Sequence, residues 1–523
     1  MKRILALLLS LVLVFTLAAC SSKENNNATS GNNGNSGSTG NDSSGATGSS
    51  DGSTTTTPVK KGVITKLKNT DPTSQSTYTL DCMSSMKLYD VPKSKYDSKA
   101  DKLYDEIEAV KDTLKPKSGG KGIYVSNDGS DSNDGSKAKP FATINKAVSV
   151  SKSGDVIYLN RGDLWRENIT SKEGVSFGAY GSGNKPTVYG SPRNFAESTW
   201  RETETENVYS VSTAEAYNIG AIIFNHGQAV GSAKTNLKSL KENFDYYEDL
   251  AKKVVYVYME QGNPADVCQS IEFASGQHIF ALKSNSSMQN IRLMYGGAHA
   301  VSMQNVENVS FEGMVIGYIG GSFQDYTSKL RYGNAIEIWG TCDNYKVDHC
   351  FVFQCYDAGL TMQFSSDENK AFYEENIVFS NNLLDYNYYA IEYFFHCRVN
   401  PNSAIRNVKI DSNIIRFSGY GWGEYSRKDK GNGSAIKGND LAMRTDNFVI
   451  SNNIFEMSYT EHRRNVPTLI FTSGIDITEL PTFKNNIYAQ TSKYSFANVQ
   501  TTSFGADTVL EALGDSSGKV VKY

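Results

Sequence analysis

Asn308-Val-Ser-Phe311-Glu-Gly-Met314 is followed by four segments cut to the same pattern: Asn344-Tyr-Lys-Val347-Asp-His-Cys350, Asn376-Ile-Val-Phe379-Ser-Asn-Asn382, Asn407-Val-Lys-Ile410-Asp-Ser-Asn413 and Asn447-Phe-Val-Ile450-Ser-Asn-Asn453. Each carries an Asn, a hydrophobe three residues on and a small or polar residue six on, with Met314 departing from the last rule. A partial copy begins at Asn290 with Leu293. The intervals of 36, 32, 31 and 40 residues suit coils of a solenoid that share a frame and differ in loop length. One coil cannot bury its apolar face alone, so stacking must supply the core. Asn suits corners because it tolerates left-handed backbone and bonds its own chain. Stacked Asn side chains can also bond along a column. Neither the Leu spacing of a leucine-rich repeat nor the Trp-Asp pairs of a propeller occur.

A second set of strands aligns ahead of these segments. His299-Ala-Val-Ser302, Asn334-Ala-Ile-Glu337, Ala358-Gly-Leu-Thr361, Tyr389-Ala-Ile-Glu392 and Ser434-Ala-Ile-Lys437 superimpose without gaps. Strand alternation puts Ile336 and Ile338 on one face, Glu337 and Trp339 on the other. If the apolar set faces the core, the outer face carries one ladder of Ser302, Glu337, Thr361, Glu392 and Lys437. Beside it runs a ladder of Trp339, Gln363, Phe394 and Asn439. Rungs spaced about 4.8 Å apart put the Glu337 and Glu392 backbones about 10 Å apart. Paired carboxyls at such separations are what inverting glycoside hydrolysis uses, one as acid and one to activate water. Asp357, on the intermediate coil, is a candidate for a nearer pair with either Glu.

Upstream, Gly122-Ile-Tyr-Val-Ser126 reads as a strand and Asn127–Gly135 as a dense acidic turn. Lys139-Pro-Phe-Ala-Thr-Ile144 opens a helix with Ile144, Ala147 and Val148 on one face, and Asp155–Leu159 is a further strand. This order over residues 122–190 resembles the N-terminal cap of the pectin-lyase-like superfamily. The resemblance implies an all-β chain folded as a right-handed parallel β-helix solenoid with an N-terminal helical cap. The acidic turn does not fit the EF-hand spacing and reads as a turn that bonds itself. Asn243–Asp249 and Val254–Met259 form an inserted β-hairpin, at about 240–262, similar to one in some bacterial β-helix proteins linked to polysaccharide breakdown. Before the cap, Leu103, Ile107, Val110 and Leu114 recur at helical spacing and predict an amphipathic helix over 99–115.

The chain starts Met1-Lys-Arg3, runs apolar from Ile4 to Phe15 and reaches Leu17-Ala-Ala-Cys20. A basic start, a short apolar stretch and small residues before a cut site make a secretory signal at 1–19. The Leu-Ala-Ala-Cys run resembles the bacterial lipoprotein cleavage box, which implies lipidation of Cys20 and attachment to the outer side of a membrane. Residues 20–57 are Ser, Gly, Asn and Thr with almost nothing apolar, a composition that stays disordered and serves as a tether or a glycosylated stalk. An N-terminal segment at 58–120 and the solenoid at 121–523 complete the expected organisation. The six other cysteines, Cys82, Cys268, Cys342, Cys350, Cys355 and Cys397, show neither a disulfide framework nor paired zinc-type spacing. With a net charge of −4 and no basic stripe, the composition points away from nucleic acid.

These features predict a monomeric surface protein that acts on polysaccharide or cell-wall glycan, with Glu337, Asp357 and Glu392 as the acid and base pool of a glycoside hydrolase. Trp339 and Phe394 would stack on sugar. So would the aromatics of Gly419-Tyr420-Gly-Trp422-Gly-Glu-Tyr-Ser-Arg427, a Gly-rich excursion that reads equally as a binding wall or as a turn covering the core. Arg427 and Lys437 join the substrate-binding candidates. Either would be the base of a polysaccharide lyase, the alternative common in the superfamily and often calcium-dependent; the hydrolase needs no cofactor. A glycan-binding adhesion solenoid without catalysis is the third reading. His299, His396 and Arg398 flank the ladder strands. One β-helix hosts several chemistries, so the fold alone does not choose.

Overall fold

The computed structural model describes residues 94–523 except 215, 365–368, 396–399, 401, 428–432, 440–444, 458–466 and 474–479. Cys20, the signal stretch, the tether, Cys82, His396, Cys397 and Arg398 therefore lie outside the described residues. The repeat segments stack as parallel strands in two long sheets, one of 18 strands and one of 10. Each coil runs along one face (as in Ile336–Trp339), bends into a second (Cys342–Asp348), turns, and crosses a third (Phe351–Cys355). The chain is a right-handed parallel β-helix. Its inward side chains form one continuous apolar core running from Ile123 to Leu513.

The asparagines hold the coils in register. Asn308, Asn344, Asn376, Asn407 and Asn447 all have positive φ between 53° and 58°, the left-handed region that Asn reaches more easily than most residues. Their side chains bond along the stack: Asn344 donates to Asn308 at 2.8 Å, Asn407 to Asn376 at 3.2 Å and Asn447 to Asn407 at 3.1 Å, while Asn376 donates to Asp343 at 2.7 Å. A second, fully buried column occupies the sixth place of the repeat. Asn382, Asn413 and Asn453 each donate through Nδ2 to the next carboxamide oxygen at 2.9–3.0 Å, and Asn486 ends the column by donating to the Asp515 carboxylate at 3.0 Å.

Two expectations change. The first helix is Asp97–Glu108 and stops short of Val110 and Leu114. From there the chain is extended, because Asn290 Nδ2 donates to the Val110 carbonyl and Gln289 Oε1 accepts from the Thr113 and Leu114 amides. The helix packs along the third face of the solenoid. Arg416, held in two places by Asp385 at 3.0 and 2.5 Å, reaches Asp97 at 2.7 Å. Buried Lys185 donates to the Ile107 and Gly313 carbonyls and to Asn290, and burial pushes its ammonium down to about 8. The inserted hairpin, Asp245–Asp249 with Val254–Tyr258, is part of a larger insertion: it joins Ser232–Ala233, Val208–Ser212 and Arg201–Glu202 in a five-stranded sheet. This insertion has its own core, built on Phe195, Trp200, Ile222, Val257 and Phe273, and therefore needs more chain than the hairpin alone. The cap helix is Ile144–Val150, with Thr143 capping it through its hydroxyl. The acidic turn is consumed locally, Asp131 accepting from the Ala142 and Thr143 amides. Cys268, Cys342, Cys350 and Cys355 are buried free thiols.

Candidate active site

The first face carries the ladders in the expected register. Ser302 pairs with Glu337, Thr361 with Glu392 and Glu392 with Lys437, while Gln304, Trp339, Gln363, Phe394 and Asn439 follow one another alongside. Glu337 and Glu392 thus stand two rungs apart on the same face. Thr361 between them is buried, not solvent-facing as its parity alone suggests. Its hydroxyl is used between rungs, accepting from the Ile338 amide at 3.1 Å. The two carboxylates and the aromatic pair line a cleft of about 590 Å3 together with Asp357, His278, His299, Tyr332, Gln363 and Arg331. Trp339 and Phe394 stack with centroids 6.4 Å apart and planes 21° apart.

A line of side-chain acceptors sets the entry to this face. His278 Nδ1 accepts from the His299 amide at 3.2 Å, His299 Nδ1 from the Asn334 amide at 3.1 Å, and Asn334 Oδ1 from the Ala358 amide at 3.0 Å. With Nδ1 accepting, the hydrogen of His299 sits on Nε2, where it is shared with the Glu337 carboxylate. The two imidazoles stack at 5.1 Å, and the Tyr332 ring meets both edge-on. On the other side, Gln363 donates from Nε2 to Glu392 at 2.8 Å. Each glutamate thus takes a hydrogen bond from a neighbour's N–H, which fixes the direction of its carboxylate.

His278 is pushed down to about 4, first by burial and then by His299, with Glu337 opposing. Its ordinary value is 6.5, so the unfolded chain takes up a proton that the fold resists. The stability that this neutral imidazole contributes is complete above about pH 6.5 and is lost as pH falls through about 4. Over that window the loss amounts to about 2–3 kcal/mol. Urea midpoints measured from pH 7 to pH 4 should fall accordingly in the wild type, and with a shallower slope in His278→Gln.

Four of the predicted site residues are elsewhere. Tyr420 and Trp422 are fully buried and cannot stack on sugar. The Gly-rich excursion covers the core: Trp422 donates from Nε1 to the Gln354 carbonyl at 2.8 Å. At Gly421 a Cβ would come within 2.0 Å of the Tyr386 carbonyl, so the backbone seats against the coil. Arg427 is buried, its guanidinium 4.6 Å from the Tyr388 ring and 5.0 Å from that of Tyr356, and it is ion-paired with Asp357. It holds a wall of the cleft from behind and does not touch its contents. Lys437 lies one rung beyond Glu392 with its ammonium 3.9 Å from the Phe471 ring centroid. Asp357 lines the cleft but is ion-paired with Arg427, so it forms part of the wall and is not a free carboxylate. Asp357→Asn should cost about 3 kcal/mol of stability, because it leaves a buried guanidinium without its counter-charge. Thermal denaturation of the variant beside wild type measures the loss.

His278 was not among the predicted site residues. His278 precedes His299 by 21 residues, the length of a short first coil outside the 31–40-residue period. Stacking against His299 was therefore not readable from the repeat.

Fold and site together define a parallel β-helix protein with an acidic, aromatic cleft on its first face. A family described as "Protein of unknown function (DUF1565)" matches residues 127–170, the acidic turn, cap helix and first strands. A comparison with curated proteins finds no match. Among solved structures, XylC in complex with xylose is similar at a TM-score of 0.44 and 12% identity, covering 73% of each chain. A lacto-N-biosidase from Eubacterium ramulus is similar at 0.38 and 9%, over 77% of this chain and 68% of that one. The pectate lyase Pel9A is similar at 0.37 and 13%, over 76% and 80%. The fold assignment rests on the strand register described above.

Proposed function

We propose that this chain is a carbohydrate-active protein that hydrolyses glycosidic bonds of a polysaccharide in the first-face cleft. The observation that carries this reading is the placement of Glu337 and Glu392 two rungs apart in one cleft, each oriented by a neighbouring N–H, beside the Trp339–Phe394 stack. In hydrolysis, one carboxylic acid protonates the departing glycosidic oxygen. The other carboxylate takes a proton from the water that attacks the sugar carbon. A separation of two rungs, about 10 Å between backbones before the side chains lean together, suits the wider spacing that leaves room for that water. The aromatic pair offers an apolar surface to a sugar face.

The lyase reading loses support from its two basic candidates, since Arg427 is buried behind the wall and Lys437 sits one rung outside. The protein acts at the cell surface, held by a lipid on Cys20 and the tether that follows; Cys20→Ser should release it from membranes in a fractionation assay. Reaction type is tested on residues 58–523 with a panel of polysaccharides, scored for reducing ends and for the ultraviolet absorbance of unsaturated uronate, with and without EDTA. Reducing ends without absorbance support hydrolysis. Absorbance overturns it in favour of elimination, and binding without any product leaves a glycan-binding solenoid.

A further inference from the structure

Seven large hydrophobic side chains are exposed among the described residues, and five of them belong to the cleft, to a hairpin on its rim and to the insertion bonded to that hairpin. Trp339 (37% exposed) stands in the cleft, and Leu330 (47%) lies on its rim. Leu330 belongs to a small hairpin, Phe323–Asp325 with Leu330–Arg331, whose connecting segment carries Tyr326 (49%). Beyond it, Tyr217 (55%) and Leu250 (44%) line a separate crevice on the insertion, with Thr213, Glu248 and Lys253.

The pieces are fixed to one another. Asn218, next to Tyr217, bonds the hairpin in both directions, accepting from the Phe323 amide at 2.8 Å and donating to its carbonyl at 2.7 Å. Phe323 supports the Tyr326 ring at 4.7 Å and carries the Arg331 guanidinium at 3.7 Å on its face. Exposed apolar side chains clustered like this mark a binding surface. Hydrogen-bonding groups, Gln324, Arg331, Glu248 and Lys253, line the same two crevices. A pyranose chain offers the same mixture, apolar ring faces bordered by hydroxyls, whereas a protein partner favours a contiguous apolar centre.

We infer that Leu330, Tyr326, Tyr217 and Leu250 form a second glycan-binding surface, continuous with the cleft, that takes the polysaccharide chain beyond the bond held at Glu337 and Glu392. This rests on the cleft being the site of glycan cleavage. It makes the protein selective for long chains, because short oligosaccharides fill the cleft without reaching the insertion.

The test is affinity electrophoresis in native gels cast with xylan, polygalacturonate, arabinan or mixed-linkage β-glucan, comparing wild type with Tyr217→Ala/Tyr326→Ala. Both rings are exposed, so the double variant should melt with the wild type. Expected is retardation of the wild type by at least one polymer and about tenfold weaker binding by the variant, for the loss of two stacking rings. Cleavage of a trisaccharide from the same polymer should be unchanged. Equal retardation of the two proteins overturns the second surface, whatever the cleft does. So does a wild type that no polymer retards, even if it cleaves the trisaccharide. Retardation that depends on the two tyrosines with no product from any substrate keeps the surface and overturns hydrolysis in the cleft.

Discussion

Glu337→Gln and Glu392→Gln should each lower kcat on the cleaved polysaccharide by about 10²–10⁴-fold, the range over which a positioned acid or base accelerates a reaction. At 1.36 kcal/mol per tenfold this is about 3–5 kcal/mol of transition-state stabilisation. Gln keeps the volume and one acceptor but neither gives nor takes the proton. Retardation in polysaccharide gels should therefore persist while product formation collapses. The partners sharpen the expectation. His299 shares its Nε2 hydrogen with Glu337, and Gln363 donates to Glu392 at 2.8 Å, so His299→Ala and Gln363→Ala release the carboxylates from their aim without removing them. These two are positioning residues, and their variants should lower kcat less than the Gln substitutions and shift its pH profile. Product anomers followed by NMR give the stereochemistry, for which two-rung separation predicts inversion. Full activity in either Gln variant would remove the pair from the reaction.

Asn413→Ala should destabilise the solenoid by about 3–5 kcal/mol. Asn413 is fully enclosed, and its carboxamide oxygen accepts from both the amide and the Nδ2 of Asn382 at 3.0 and 2.9 Å. Its own Nδ2 donates to the Phe379 carbonyl and to Asn453, both at 2.9 Å. Truncation leaves two donors of Asn382 and one carbonyl in a site that water does not reach, each costing about 1–3 kcal/mol with partial relaxation. Asn407→Ala, in the exposed column one corner earlier, loses a single bond to Asn376 and one from Asn447 where water can replace them. It should cost about 1 kcal/mol or less, mainly from the left-handed backbone that Ala adopts poorly. Urea denaturation of the two variants beside wild type measures the contrast. Comparable losses would show that the buried column holds the coils no better than the exposed one.

The solenoid was legible because its physics is periodic. Stacked coils repeat the same burial at the same positions, so Phe311, Val347, Phe379, Ile410 and Ile450 announce one core face and the asparagines announce the corners. The same argument set the strand register and with it the shared face of Glu337 and Glu392, since side chains alternate with a period of two. Loops follow no period. Trp422 and Arg427 carry the residue types of a binding wall, yet they fold inward to seal the coil, because Gly421 and Gly423 let the backbone sit directly on Tyr386 and Tyr356. Asp357 reads as a free acid in the sequence, but Arg427, 70 residues away, pairs with it. The hairpin at 245–258 was visible, but the insertion around it was not, since two of its other strands have two residues each and its core is assembled from residues between Phe195 and Phe273. By itself the sequence determined the coil, the register and the carboxylate ladder, which follow from local alternation and repetition. Only the tertiary structure decided which of the candidates share a cleft, because contacts such as His278 on His299 or Asp357 with Arg427 depend on where non-repeating segments come to rest.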